Sequence, residues 1–224
     1  MSSSSSTTTG TTESRWSLRG RNYVVTGGTK GIGKAVIRSL LHNDAAGVVF
    51  CSLSPLEDYD AYVASLGLDN TTASPPPVIK HVVCDVSTGE GRKTLVATAR
   101  EAFGATTDAD GGDDKARACL HGLVNNVGVN VRKPILEQTP EEYHKMIRTN
   151  ADAAYFLCRE CSDLFATSAT IVNVSSAAGV QSSGTGAAYG MSKAALNHFT
   201  RILACEWARR EIRVNAVTPW MTVR

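Results

Sequence analysis

The stretch NYVVTGGTKGIGKAVIRSLLH, residues 22–42, decides the fold. Asn22 to Thr26 is a short apolar, β-branched run, which predicts a strand. From about Gly31 to His42 the pattern turns helical. Between them stands T-G-G-T-K-G-I-G, Thr26 to Gly33, with Gly27, Gly31 and Gly33 in the spacing G-x-x-x-G-x-G. Glycines there permit a tight turn and a close approach of backbone to a pyrophosphate, whose charge the amides of the following helix N-terminus hold. A glycine-rich turn without a ligand has the same composition. Its place after the first strand of a β-α-β unit is what makes it a dinucleotide fingerprint.

The rhythm continues outward from that unit. Strands are predicted at Val48 to Ser52, Ile79 to Val86, His121 to Asn126, Thr170 to Ser176 and Ile212 to Pro219. Helical stretches separate them: one ending at Phe103, a long one from about Pro140 to Phe165, and one from Tyr189 to Arg209. Six apolar strands without strict alternation, joined by helices, specify an α/β fold whose parallel sheet is buried on both faces. Two segments read as surface loops: Gly67 to Val78, with three prolines in a row, and Gly104 to Ala118. The second carries Asp108, Asp110, Asp113 and Asp114, but it lacks the closing Glu of a calcium loop and reads as a solvated insertion.

The chain has 224 residues, 42% of them hydrophobic, enough for one large domain over residues 15–224. Residues 1–14, nearly all Ser and Thr, read as a disordered tail, unlike a signal peptide or anchor. With 23 Lys+Arg against 21 Asp+Glu, the net charge of +2 gives no overall pull toward nucleic acid or a membrane surface. The 6 cysteines are scattered, which points to a reducing, cytoplasmic compartment. Cys158 and Cys161 form a C-x-x-C within a helical stretch and read as buried thiols; no metal is expected.

Chemistry concentrates late in the chain. Tyr189 and Lys193 are four residues apart on a helix and share a face. An ammonium held there favours the phenolate and readies Tyr189 to give or take a proton near neutrality. A Y-x-x-x-K alone is common on helices, with the cation merely covering the ring. Ser176, at the end of a buried strand and followed by a loop of small residues, brings a hydroxyl toward the same pocket.

Thr26 to Gly33, Asn125-Asn126-Val127-Gly128, Asn150, Ser175-Ser176 and Tyr189-x-x-x-Lys193 stand in the order and spacing of the short-chain dehydrogenase/reductase family, which the chain resembles from Trp16 to its end. Within that family, RWSLRGRNYVVTGGTKGIG, LVNNVGVNVRKP and ACEWARREIRVNAVTPW look most like the tropinone reductase-like branch. The resemblance implies a Rossmann-type doubly wound sheet in three α/β/α layers and an oxidoreductase moving hydride between NADP(H) and a ketone, aldehyde or secondary alcohol. It makes Tyr189 the general acid/base, Lys193 its partner and a ribose ligand, Ser176 the donor that polarises the carbonyl, and Asn150 the holder of a relay water. Ser176 is preferred over Ser175 because the family places this serine thirteen positions before the tyrosine. The cofactor would be contacted by Gly27, Thr29, Lys30, Gly31, Ile32 and Gly33, by Ser52 and Leu53 after the second strand, and by Asp85 and Val86 after the third. Asn125, Asn126, Val127 and Gly128 would line its adenine side, and Pro219 and Thr222 its carboxamide end.

No acid follows the second strand, and Lys30 stands where NADPH-using relatives place a cation, so NADPH is expected over NAD even though Leu53 replaces a usual Arg. Family members continue past Pro219 through a covering loop, a helix and a seventh strand; these 224 residues are expected to lack that edge strand. A catalytically weak nucleotide-binding protein and a 3-oxoacyl thioester reductase are the alternative readings. A homodimer is expected through the two long helices, with Phe156, Leu164, Phe199 and Leu203 exposed for pairing.

Overall fold

The computed structural model describes residues 16–68, 75–104, 118–182 and 184–220. The Ser/Thr-rich tail, the acidic cluster, much of the proline-containing loop, and Thr222 lie outside the described residues.

The sheet forms from β1 (Asn22–Thr26), β2 (Gly47–Ser52), β3 (Val78–Val83), β4 (Leu120–Asn125), β5 (Phe165–Val174) and β6 (Arg213–Val217). All neighbours are parallel, in the order β3-β2-β1-β4-β5-β6. The helices are α1 (Gly31–His42), α2 (Tyr59–Ala64), α3 (Gly89–Ala102), α4 (Pro140–Ile147), α5 (Ala153–Glu160) and α6 (Ala187–Glu206). Strand order reverses between β1 and β4, so a crevice opens at the carboxyl ends of these two strands, where such sheets bind ligands.

Successive strand residues point to opposite faces, and here both faces are covered. Tyr23, Val25, Val48, Phe50 and Val124 pack with Ile37 and Leu41 of α1 and Tyr62 of α2. Val24, Val49, Cys51 and Leu123 pack on the other side with Leu95 of α3 and Leu157 of α5. Burying each Val or Leu contributes about 1.5–3 kcal/mol, and double-sided burial explains why these strands are apolar without alternation.

Three expectations change. The stretch Pro140 to Phe165 is not one helix: α4 gives way to a π-helical turn over Arg148–Asp152, α5 ends at Glu160, and Phe165 already begins β5. Helix α2, absent from the sequence reading, is capped by Asp58, whose carboxylate accepts from Ala61 N at 2.8 Å. Leu164 and Leu203 are core residues, not exposed ones, and Tyr155 on α5 and Met191 and Ile202 on α6 are the large apolar side chains left open there. Cys158 and Cys161 are both buried, and burial pushes the Cys158 thiol up to about 12.

Candidate active site

The glycine-rich turn is held from three sides. Thr26 Oγ accepts from the amides of Asn126 (2.9 Å) and Val127 (3.0 Å), fastening the end of β1 to the end of β4. Asn126 Nδ2 donates to the carbonyls of Thr26 (2.9 Å) and Gly27 (3.1 Å). Tyr62 of α2 donates its phenol to Gly28 O at 2.8 Å, and burial raises that phenol to about 12, so it stays a donor. Gly31 has φ +56° and nothing within 4 Å of where a Cβ would sit. The N-cap of α1, Lys30, makes no side-chain cap, and no acid stands in the first turn. Uncapped amides beside open space, with the exposed Lys30, fit a pyrophosphate-bearing dinucleotide.

The other predicted cofactor contacts divide. Leu53 is 70% exposed and lies past the end of β2. Ser52 Oγ is engaged: it donates to Ser54 O at 2.7 Å and meets His81 Nε2 at 2.7 Å. Asp85 is exposed two residues beyond β3, and its carboxylate accepts from Ser87 N at 2.9 Å. Val86 buries its side chain in the core, so only its main chain is left to face a ligand. Asn125 likewise turns its side chain inward. Its Nδ2 donates to Asn173 Oδ1 at 2.8 Å, and Asn173 in turn donates to Thr200 Oγ1 at 2.9 Å, a buried chain linking β4, β5 and α6. Thr29 and Ile32 are half-buried on the turn, and Pro219 accepts from Ala177 N at 3.0 Å through its carbonyl.

The four candidate catalytic residues come from the π-helical turn, the end of β5 and the start of α6. Lys193 is 3% exposed, and its Nζ donates to Val174 O at 2.9 Å, at the end of β5. The same Nζ lies 5.9 Å from the centroid of the Tyr189 ring. Asn150 Oδ1 accepts from Val129 N (2.8 Å), while its Nδ2 donates to Val129 O (2.9 Å) and Ser192 Oγ (2.9 Å). Ser192 Oγ donates to Tyr189 O at 2.7 Å, so Asn150 is tied to the first turn of α6. A Cβ on Gly128 would stand 3.2 Å from Lys193 Nζ and 3.5 Å from Asn150 Oδ1; the bare glycine leaves these two groups facing one space. The π turn, which adds a residue to its helical turn, is what presents Asn150 there.

The two serines are distinct in place. Ser175 is buried and spends its hydroxyl on Lys193 O at 3.2 Å. Ser176 is half-buried in extended backbone, with its Oγ accepting from Ala178 N at 3.2 Å, which leaves the hydroxyl proton free to donate. Asn197 Nδ2 holds the next turn to α6 through Gly179 O at 3.1 Å. Thr26, Tyr62, Ser192 and Asn197 are positioning residues that the sequence reading missed. Spacing alone had a signal for Ser192, three residues after Tyr189 and next to Lys193.

Burial lowers Lys193 from its ordinary 10.5 to about 8. Desolvation penalises the charged form, so the folded state carries the full cost below about pH 8. The unfolded lysine keeps its proton up to 10.5, and the cost is relieved as pH rises from about 8 to 10.5. At about 1.4 kcal/mol per tenfold, that cost is ~3 kcal/mol, partly offset by the bond to Val174 O. Lys193→Met is therefore expected to raise the thermal midpoint of the free protein by about 3–6 °C at pH 7, an advantage that shrinks toward pH 10. Calorimetry across that range checks it; a destabilised variant at pH 7 contradicts it.

A fastened glycine-rich turn at the strand-order reversal, with a tyrosine, lysine and serine at the end of β5 and the start of α6, defines a dinucleotide-dependent oxidoreductase site. The chain belongs to the short-chain dehydrogenase family, whose model matches residues 21–223, and to its tropinone reductase-like branch. It is 39% identical over 211 residues to a tropinone reductase homolog of Arabidopsis thaliana, covering 93% of this chain and 72% of that one. A tropinone reductase homolog of Datura stramonium is 39% identical over 209 residues, covering 92% and 70%. Among solved structures, a dehydrogenase/reductase from Sinorhizobium meliloti 1021 superposes with a TM-score of 0.78 at 26% identity, covering 92% of this chain and 74% of that one.

Proposed function

We propose that the protein is an NADPH-dependent carbonyl reductase that interconverts a ketone or aldehyde with its alcohol. The observation that carries this reading is the buried Lys193 ammonium, anchored to the end of β5 and 5.9 Å from the Tyr189 ring, over a space shared with Asn150. Bound NADPH supplies the hydride that reaches the carbonyl carbon. Tyr189 Oη gives its proton to the carbonyl oxygen, and Ser176 Oγ donates a hydrogen bond to that same oxygen as charge grows on it. Lys193, still mostly charged at neutral pH with a pKa of about 8, stabilises the phenolate left on Tyr189 until solvent returns the proton. Asn150 spends both Nδ2 protons on Val129 O and Ser192 Oγ, which fixes the start of α6, while its Oδ1, accepting only from Val129 N, keeps a lone pair for a relay water in the space it shares with Lys193.

The choice of NADPH rests on the exposed Lys30 at the N-cap of α1 and the lack of an acid at Cys51-Ser52-Leu53. The test is oxidation of NADPH against NADH with a panel of ketones and aldehydes. NADPH is expected to be preferred, and Lys30→Ala is expected to weaken NADPH by about tenfold or more while leaving NADH nearly unchanged, the range for a charge-assisted hydrogen bond. Equal losses for both cofactors show that Lys30 does not see a 2′-phosphate.

The six free thiols fit a reducing compartment such as the cytoplasm. Among the described residues no helix is long and apolar enough to cross a membrane. Tyr155 (48% exposed) and Ile202 (45% exposed), with Phe199 packed against Tyr155 at 5.5 Å between ring centroids, form an apolar face on α5 and α6. A homodimer formed through this face is expected, and sedimentation should show a dimer that Ile202→Glu dissociates.

A further inference from the structure

Beside Ser176 and Tyr189 opens a cavity of about 540 Å³, a size that holds a small-molecule substrate. One wall comes from the loop after β4, through Arg132, Lys133 and Pro134, and the facing wall from Ala178 and the start of α6 at Ala187 and Gly190. Ala178 gives its amide to Ser176 Oγ, and Gly190 follows Tyr189 in the chain, so the cavity adjoins the reacting groups.

Charge in this lining is of one sign. Arg132 and Lys133 are its charged residues among the described ones, and no carboxylate lines it. The two cations differ in availability. Lys133 Nζ is paired with Glu142 Oε1 at 2.5 Å, and Glu142 is fixed in turn by the capping box it makes with Thr139 at the start of α4. Arg132 is exposed and has no carboxylate within ion-pair distance among the described residues. The rest of the lining is small and nearly neutral: Gly184, Gly186, Ser182 and Thr185 offer little that would select a cationic substrate.

We propose that Arg132 makes this site selective for carbonyl substrates that carry a carboxylate, which its guanidinium binds across the cavity from Tyr189 and Ser176. This rests on the carbonyl reductase reading above and specifies its substrate class. A guanidinium matches the two oxygens of a carboxylate with paired donors, and a site that a substrate partly dries strengthens that pairing. Lys133 keeps its partner Glu142 and stays a buttress of the loop. The carboxylate is not altered in the reaction; it orients the substrate so that the carbonyl oxygen lies at Tyr189 Oη.

The test compares 4-oxocyclohexanecarboxylate, levulinate and 4-carboxybenzaldehyde, each with its methyl ester, under NADPH. The acids are expected to exceed their esters in kcat/KM by about tenfold at low salt, and the preference should fall in 0.5 M KCl as exposed charge is screened. Arg132→Gln should bring the ratio near one by lowering the acids far more than the esters, and Arg132→Lys should restore part of it. Equal rates for acid and ester, or a preference that survives Arg132→Gln, overturns the assignment while leaving the reductase reading intact. If neither acid nor ester is reduced, the reductase reading fails on its own. Calorimetric titration of 4-oxocyclohexanecarboxylate into the protein with NADPH then decides: binding that Arg132→Gln abolishes supports the carboxylate site, and no binding to the unsubstituted protein overturns it.

Discussion

Tyr189→Phe is expected to lower kcat for carbonyl reduction by at least about a thousandfold while leaving NADPH affinity within about twofold. The substitution deletes one oxygen and the proton it carries, and the reduced product cannot form unless that proton comes from somewhere else. General acid catalysis by a positioned group is worth about 10² to 10⁴ in rate, and here the positioned group is also the one next to the buried ammonium. Binding and folding should hardly change. Tyr189 is half-buried, and its hydroxyl makes no hydrogen bond with another described residue, so Phe keeps the ring and breaks no contact of the free protein. Steady-state kinetics with a reducible ketone, NADPH fluorescence titration and a thermal melt separate the three quantities. A variant that retains a tenth of the activity would assign the proton to another group, with Ser176 the first to examine.

How much of this site was readable from the sequence depended on whether spacing alone fixes direction. Tyr189 and Lys193 were legible because i, i+4 on a helix leaves no choice of face. The strands were legible because double-sided burial writes a continuous apolar run. Asn125 turns its side chain inward for a reason the strand already contains: it stands two residues after Leu123, a core residue on β4, and period two buries it as well. The break inside Pro140 to Phe165 was hidden because apolar residues continue through Cys158, Cys161, Leu164 and Phe165, which serve first a helix, then a turn and then a strand. Nothing in Arg148-Thr-Asn-Ala-Asp152 announces a π turn, since that geometry is selected by what Asn150 bonds in space: Val129 from the loop after β4 and Ser192 from α6. Tyr62 was invisible for a similar reason. Its partner, Gly28 O, is 34 residues away, and α2 is six residues long, too short for a periodic signal.

Gly33→Ala should have the next largest effect, and it tests the cofactor end of the crevice as Tyr189→Phe tests the catalytic end. An added Cβ at position 33 would stand 2.1 Å from Gly27 O and 2.7 Å from Asn126 Nδ2. The first is backbone, the start of the turn itself, and the second is the side chain that pins that turn to the end of β4. Neither has room to yield, so the first turn of α1 must back away from the loop that its amides serve. Overpacking of this kind costs about 1–3 kcal/mol, readable as a lower urea midpoint with an unchanged slope. NADPH affinity should fall by a hundredfold or more, because the amides that would hold a pyrophosphate no longer converge on one point. Gly31→Ala separates folding from binding: its Cβ meets no protein atom, so folding loses only the about 1–2 kcal/mol of placing a side chain at φ +56°, while the same Cβ enters the space assigned to the pyrophosphate. A Gly33→Ala protein that stays folded and binds NADPH as tightly as the parent would remove the glycine-rich turn from the cofactor site.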